Sequence, residues 1–250
     1  DNRDDEILCE ELDIRIEDNE NILSNFVSAY LMPENRLSEW YYNGDKMKIF
    51  RKTHISDLLT KICNEFYTQT PVIKNEMINK DVVTKTIVTA TNKIVDALLV
   101  NELRPNLGLT GSGPDVSIMR SVLVNTGILR DVETFPKLCI TEDCTDRYQN
   151  VLTVINNFFK EANNASFADL YSLLISPENH IGLKKGIIPI FIAIALHPIK
   201  QYVVICKNGN EVEFNSALLN AVNENPDDYV AFLENWDKQK EEYIKRLEEI

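Results

Sequence analysis

Apolar positions at three- and four-residue spacing dominate this chain and predict helices over most of its length. Ile55, Leu58, Leu59, Ile62, Cys63 and Phe66 form one stripe of an amphipathic helix. Val83, Ile87, Ala90, Ile94, Ala97 and Leu98 mark a longer one, capped by Asn79 or Asp81. Between them, Thr70 followed by Pro71 reads as an N-cap with proline at the first helical position, so "PVIKNEMI" is expected to start a helix afresh. Val116, Met119, Val122 and Leu123 line a further helix that stops at Gly127. Tyr148, Val151, Leu152, Ile155, Phe158 and Phe159 line the next, and Ser166 with Asp169 resembles a capping box on "SFADLYSLLI". Nearer the start, "NILSNFVSAYL" (21–31) is a short amphipathic helix stopped by Pro33. The segment 130–146 has no period and is expected to be loop.

Strand signals are few. "EWYYNGDKMKIF" places two β-rich runs around Asn43-Gly44, the dipeptide suited to a type I′ hairpin. In the last third, "GLKKGIIPIFIAIAL" is a buried helix with Pro189 near its first turn. There "QYVVIC" and "EVEF" flank a second hairpin at "KNGN", and "DDYVAFLENW" returns as an edge strand after a short helix. The fold class expected is therefore mainly α with small β hairpins: a helical domain followed by a winged-helix-like module. The expected divisions are an acidic helix and hairpin at 1–50, a helical domain at 51–178, the winged-helix-like module at 179–235 and a charged helix at 236–250.

Charge sharpens this picture. The formal net charge is −13, and residues 1–24 carry ten acidic against two basic side chains while residues 221–250 carry nine against four. The two ends therefore account for the whole excess, which makes the chain a poor general nucleic-acid binder. No apolar run reaches the length of a membrane span, so no membrane association is expected. The absence of a signal peptide and of an initiator Met points to an excised part of a longer cytoplasmic chain. The cysteines (Cys9, Cys63, Cys139, Cys144, Cys206) are scattered. Cys63 and Cys206 read as small core residues, and the Cys139/Cys144 pair lacks the partners a zinc site needs.

The stretch "NLGLTGSGPDVS" (106–117) is the passage that most suggests chemistry. Gly108 and Gly113 have P-loop spacing, but Pro114 and Asp115 stand where Lys and Ser/Thr belong. Proline removes a backbone donor and Asp puts negative charge where phosphates would lie, so the stretch reads as a turn into a helix capped by Ser112 or Gly113. His54, His180 and His197 belong to no catalytic motif. No catalytic, cofactor or metal residue is assigned. The aromatic run Trp40 to Tyr42 reads as hairpin packing rather than a stacking platform. Lys184, Lys185, Lys200 and Lys207 form the basic cluster of the winged-helix-like unit and are the candidate nucleic-acid contacts.

Two passages carry a family resemblance. "ISDLLTKICNEFYTQTPVIKNEMINK", with the following "LGLTGSGPDVSIMRSVLVNTGIL", resembles a helical segment of very large bacterial P-loop ATPases of phage-defence loci. "HIGLKKGIIPIFIAIAL", "VVICKNGNEVEF" and "NENPDDYVAFL" resemble the winged-helix-like segment that follows it there, as in the large ATPase of BREX phage-exclusion systems. The resemblance covers roughly residues 40–235. It implies a non-catalytic regulatory or scaffolding region, with the nucleotide-binding motifs elsewhere in the parent polypeptide. The partners expected are the rest of that polypeptide or partner subunits. Two other readings remain open: a nucleic-acid-binding winged-helix module using Lys184 and Lys185, and a stand-alone enzyme whose dispersed groups converge in a deep pocket.

Overall fold

The computed structural model describes residues 5–79, 84–139 and 146–234, which are mainly helical with small antiparallel sheets. The chain forms two compact units, Asp1–Phe66 and Tyr67–Ile250.

The first unit opens with α1 (Glu6–Leu31), a helix of 26 residues. It is far longer than the segment 21–31 expected to be helical. The physical reason lies in its acidic start: Asp5 caps the helix by accepting from the Leu8 N–H at 3.2 Å, and carboxylates in the first turns oppose the positive end of the helix dipole. Arg15 and Glu11 add an i,i+4 ion pair at 3.0 Å. Pro33 ends the helix as expected. β1 (Trp40–Tyr42) and β2 (Asp45–Met47) pair antiparallel around Asn43 and Gly44, both at positive φ (50° and 87°), as a type I′ turn requires. Tyr42 reaches α2 (Lys52–Phe66) by donating to Glu65 at 3.2 Å. Within the described part of this unit only Pro33 and Ile49 are buried.

The second unit has a continuous core that runs from Ile78 to Ala231. Residues 71–75 enter it without regular secondary structure, and α3 (Glu76–Asn79) is a single turn. The expected helix from Pro71 does not form, because this stretch finds tertiary partners instead. Tyr148 donates to the Val72 carbonyl at 2.9 Å, and the Asn75 side chain accepts from the Met77 N–H at 3.0 Å. α4 (Lys85–Leu98) buries Ile87, Ala90, Ile94 and Leu98 as the stripe predicts. Val83, the first member of that stripe, and Asp81, one of its two expected caps, lie outside the described residues. α5 (Pro114–Met119) continues into a π-helical turn over Arg120–Val124, in which the Asn125 N–H bonds the Arg120 carbonyl at 2.8 Å. The region expected to be loop holds a short pair, β3 (Leu129–Arg130) with β4 (Lys137–Leu138).

α6 (Asp146–Lys160) is followed by β5 (Asn163–Ser166), α7 (Phe167–Ile175), α8 (Ile188–Leu196), β6 (Val203–Lys207), β7 (Asn210–Glu211), α9 (Ser216–Glu224) and β8 (Tyr229–Leu233). Ser166 caps α7 as expected, accepting from the Ala168 N–H at 3.2 Å. The second hairpin also forms, with Asn208 and Gly209 at positive φ between β6 and β7. The sheet order is β5-β8-β6-β7. Hence β8 is an inner strand, not the edge strand expected, because polar "NNAS" supplies β5 on its other side. Strand β5 lies before the expected boundary at 178/179 and its sheet partners β6, β7 and β8 after it, and residues on both sides share the one core. The expected helix at 236–250 lies outside the described residues.

Candidate functional site

The four candidate lysines lie on different elements and have different neighbours. Lys184 and Lys185 precede α8, Lys200 follows it, and nine residues of helix span about 14 Å. Lys200 donates to the Leu99 carbonyl just beyond α4, and His197 Nδ1 lies 2.7 Å from the Leu98 carbonyl. Together these two side chains satisfy the carbonyl end of α4, where the helix dipole favours a cation. Partial burial lowers the Lys200 pKa. Lys184 donates to the Asn79 carbonyl at the end of α3. Lys207, at the far end of β6, pairs with Asp228 at 3.4 Å and lies 4.9 Å from the centre of the Tyr229 ring. Its hydrogen bonds to those two residues raise its pKa. Lys185 is exposed. All nine residues of α8 are buried.

The glycine-rich stretch is a structural joint. Asn106, Leu107 and Gly108 all have φ between 50° and 68°. Gly113 is the N-cap of α5 and provides no side-chain cap, Pro114 follows, and the buried Asp115 takes over that role. Its carboxylate accepts from the Val116 N–H at 3.0 Å and from Lys93 at 3.1 Å, and the hydrogen bond from Lys93 holds its pKa below the usual carboxylate range. A Cβ on Gly113 would lie 2.7 Å from the Asp115 carboxylate, so a side chain there would displace that carboxylate.

His54 lies in the first unit, accepting from the Phe50 N–H at 3.3 Å, and His180 and His197 lie in the second. Among the described residues no group of three His, Cys, Asp or Glu side chains could hold a metal, and no helix is long and apolar enough to cross a membrane. Cys144 lies outside the described residues, and Cys63 is exposed rather than in the core.

The surface that stands out is α1. Leu12, Ile16, Leu23, Phe26 and Tyr30 are exposed, with Ile16 at 55%, Leu23 at 62% and Phe26 at 59%. With Asn19 they follow the alternating four- and three-residue spacing of a coiled-coil seam: 12, 16, 19, 23, 26, 30. Ile22 and Val27 broaden the stripe, whereas Ile7 and Ile14 fall off it. The flanks of the first half are acidic: residues 5–31 hold eight carboxylates and one arginine, all at or before Glu20. The spacing is written in the sequence, but dense acidic residues before Asn21 mask it. No protein-family model, curated protein or solved structure matches this chain.

Proposed function

We propose that this chain is a non-catalytic regulatory or scaffolding region of a large cytoplasmic multidomain ATPase of the phage-defence kind, and that its N-terminal unit is a protein-docking element. The resemblance supports the first part. The observation that carries the second is the exposed apolar seam of α1, on a unit that buries only Pro33 and Ile49 among its described residues. A contiguous apolar stripe of this kind marks an interaction site. The occupant that fits is an amphipathic helix with Lys and Arg beside its apolar face, from the parent polypeptide or a partner subunit. A second copy fits less well, because residues 5–31 carry a net −7 (one basic less eight acidic) and two such helices repel.

A synthetic three-heptad peptide with Leu in the seam and Lys beside it tests this. Saturable binding in fluorescence anisotropy, weakening as salt rises, is expected. A variant carrying Leu12→Ser, Ile16→Ser, Leu23→Ser and Phe26→Ser should lose it. Salt-independent binding, binding that survives this variant, or dimerisation through α1 in sedimentation would reject the basic partner. ATP turnover by this chain alone would reject the non-catalytic reading.

A further inference from the structure

The second unit carries a cationic groove that none of the preceding functions uses. Two adjoining hollows of about 440 and 530 Å³ share Lys74, Ser121 and Asn125 as lining residues. One adds Arg147 and Tyr148, and the other adds Arg120, Ser117 and Glu76. The walls are the segment 71–75 and the helix that passes from α5 into its π turn. That turn shifts the register of the helix by one residue, and Ser121 and Asn125 both border the two hollows. Asn75, itself buried, donates to Ser121 Oγ at 2.8 Å and fixes the wall between them. Lys74, Arg120 and Arg147 are exposed, and among the described residues none has an ion-pair partner. Arg147 donates to the Thr70 carbonyl at 3.4 Å, which anchors its side chain beside the groove. Glu76 is the one carboxylate among the lining residues named for the two hollows.

In a chain of net charge −13, three cations that border one groove and have no ion-pair partner among the described residues are an exception to the prevailing sign. Their neighbours Ser117 and Asn125 are neutral hydrogen-bond donors, while the Ser121 hydroxyl donates to the Ile118 carbonyl at 3.1 Å. Arginine forks and hydroxyl donors together match the several acceptor oxygens of a phosphoryl group. We infer that this groove is a binding site for a small phosphorylated ligand, held by Lys74, Arg120 and Arg147. It is separate from the α1 seam and does not depend on it.

Inorganic pyrophosphate is the probe, added to the full 15N-labelled chain and followed by amide chemical shifts. Saturable shifts at Ser117, Ser121 and Asn125 are expected. Arg120→Gln and Lys74→Gln, both at exposed positions, should each weaken binding about tenfold, the scale of one charge-assisted hydrogen bond. Lys185→Gln should leave it unchanged. Absence of saturation, or an equal loss in Lys185→Gln, would overturn the site. Citrate binding as tightly as pyrophosphate would overturn the phosphoryl class. If the α1 peptide binds while pyrophosphate does not, this inference fails and the docking reading stands.

Discussion

α1 and α8 are both rich in apolar residues, yet they meet opposite fates. All nine residues of α8 are buried, and none of the residues of α1 with a described side chain is. The difference lies in the arrangement of their apolar residues. α8 is apolar on every side and must sit inside a core. The apolar seam of α1 is flanked by carboxylates over its first half, so one face suits a partner while the rest stays in water. The two units differ in the same way. The second closes its own core around α4, α6 and α8, and the first leaves the large apolar side chains of α1 exposed. Stability should therefore reside in the second unit and association in the first.

The sharpest way to break this contrast is to truncate matched aromatics. Phe191 in α8 is fully buried and stacks on Tyr148 with ring centres 6.3 Å apart. Phe191→Ala should destabilise the chain by about 3–5 kcal/mol in denaturant unfolding, whereas Phe26→Ala should stay within about 0.5 kcal/mol. Similar losses from both would mean that α1 belongs to the fold. Next in size is the clamp between α4 and α9, where Asp96 accepts from the Ser216 N–H and Oγ, both at 2.8 Å. Asp96→Ala leaves those donors unmatched and should cost about 1–3 kcal/mol, read as a lower denaturant midpoint with unchanged slope.

The smallest effect concerns Asp115. Its pKa is lowered in the folded chain, so its contribution is present above the ordinary carboxylate pKa of 3.8 and is lost as pH falls through the folded value. Because Lys93 is largely exposed, that contribution should be about 1 kcal/mol. Asp115→Asn should therefore be less stable than the parent chain at neutral pH and should match it near pH 2. A gap that persists at acid pH would assign the role of Asp115 to shape rather than charge.

Local signals carried much of this fold. The stripes of α4 and α6, the all-apolar α8, both Asn-Gly hairpins and the Ser166 cap are each written in a few neighbouring residues. The misread elements depend on distant partners. "NNAS" has no β pattern of its own and becomes a strand by pairing with β8, some sixty residues later. Pro71 to Asn75 stays out of a helix, with Tyr148 and Ser121 as its distant hydrogen-bond partners. The roles of the lysines are also tertiary. Lys184, Lys200 and Lys207 are close in sequence, but each satisfies a different structural neighbour.

Hydrogen exchange along α1, measured with and without the basic heptad peptide, tests the docking claim most directly. Amides from Leu12 to Tyr30 should exchange quickly in the chain alone and gain protection when the peptide is added, while α8 stays protected throughout. Equal protection of α1 in both conditions would contradict the claim that its seam awaits a partner.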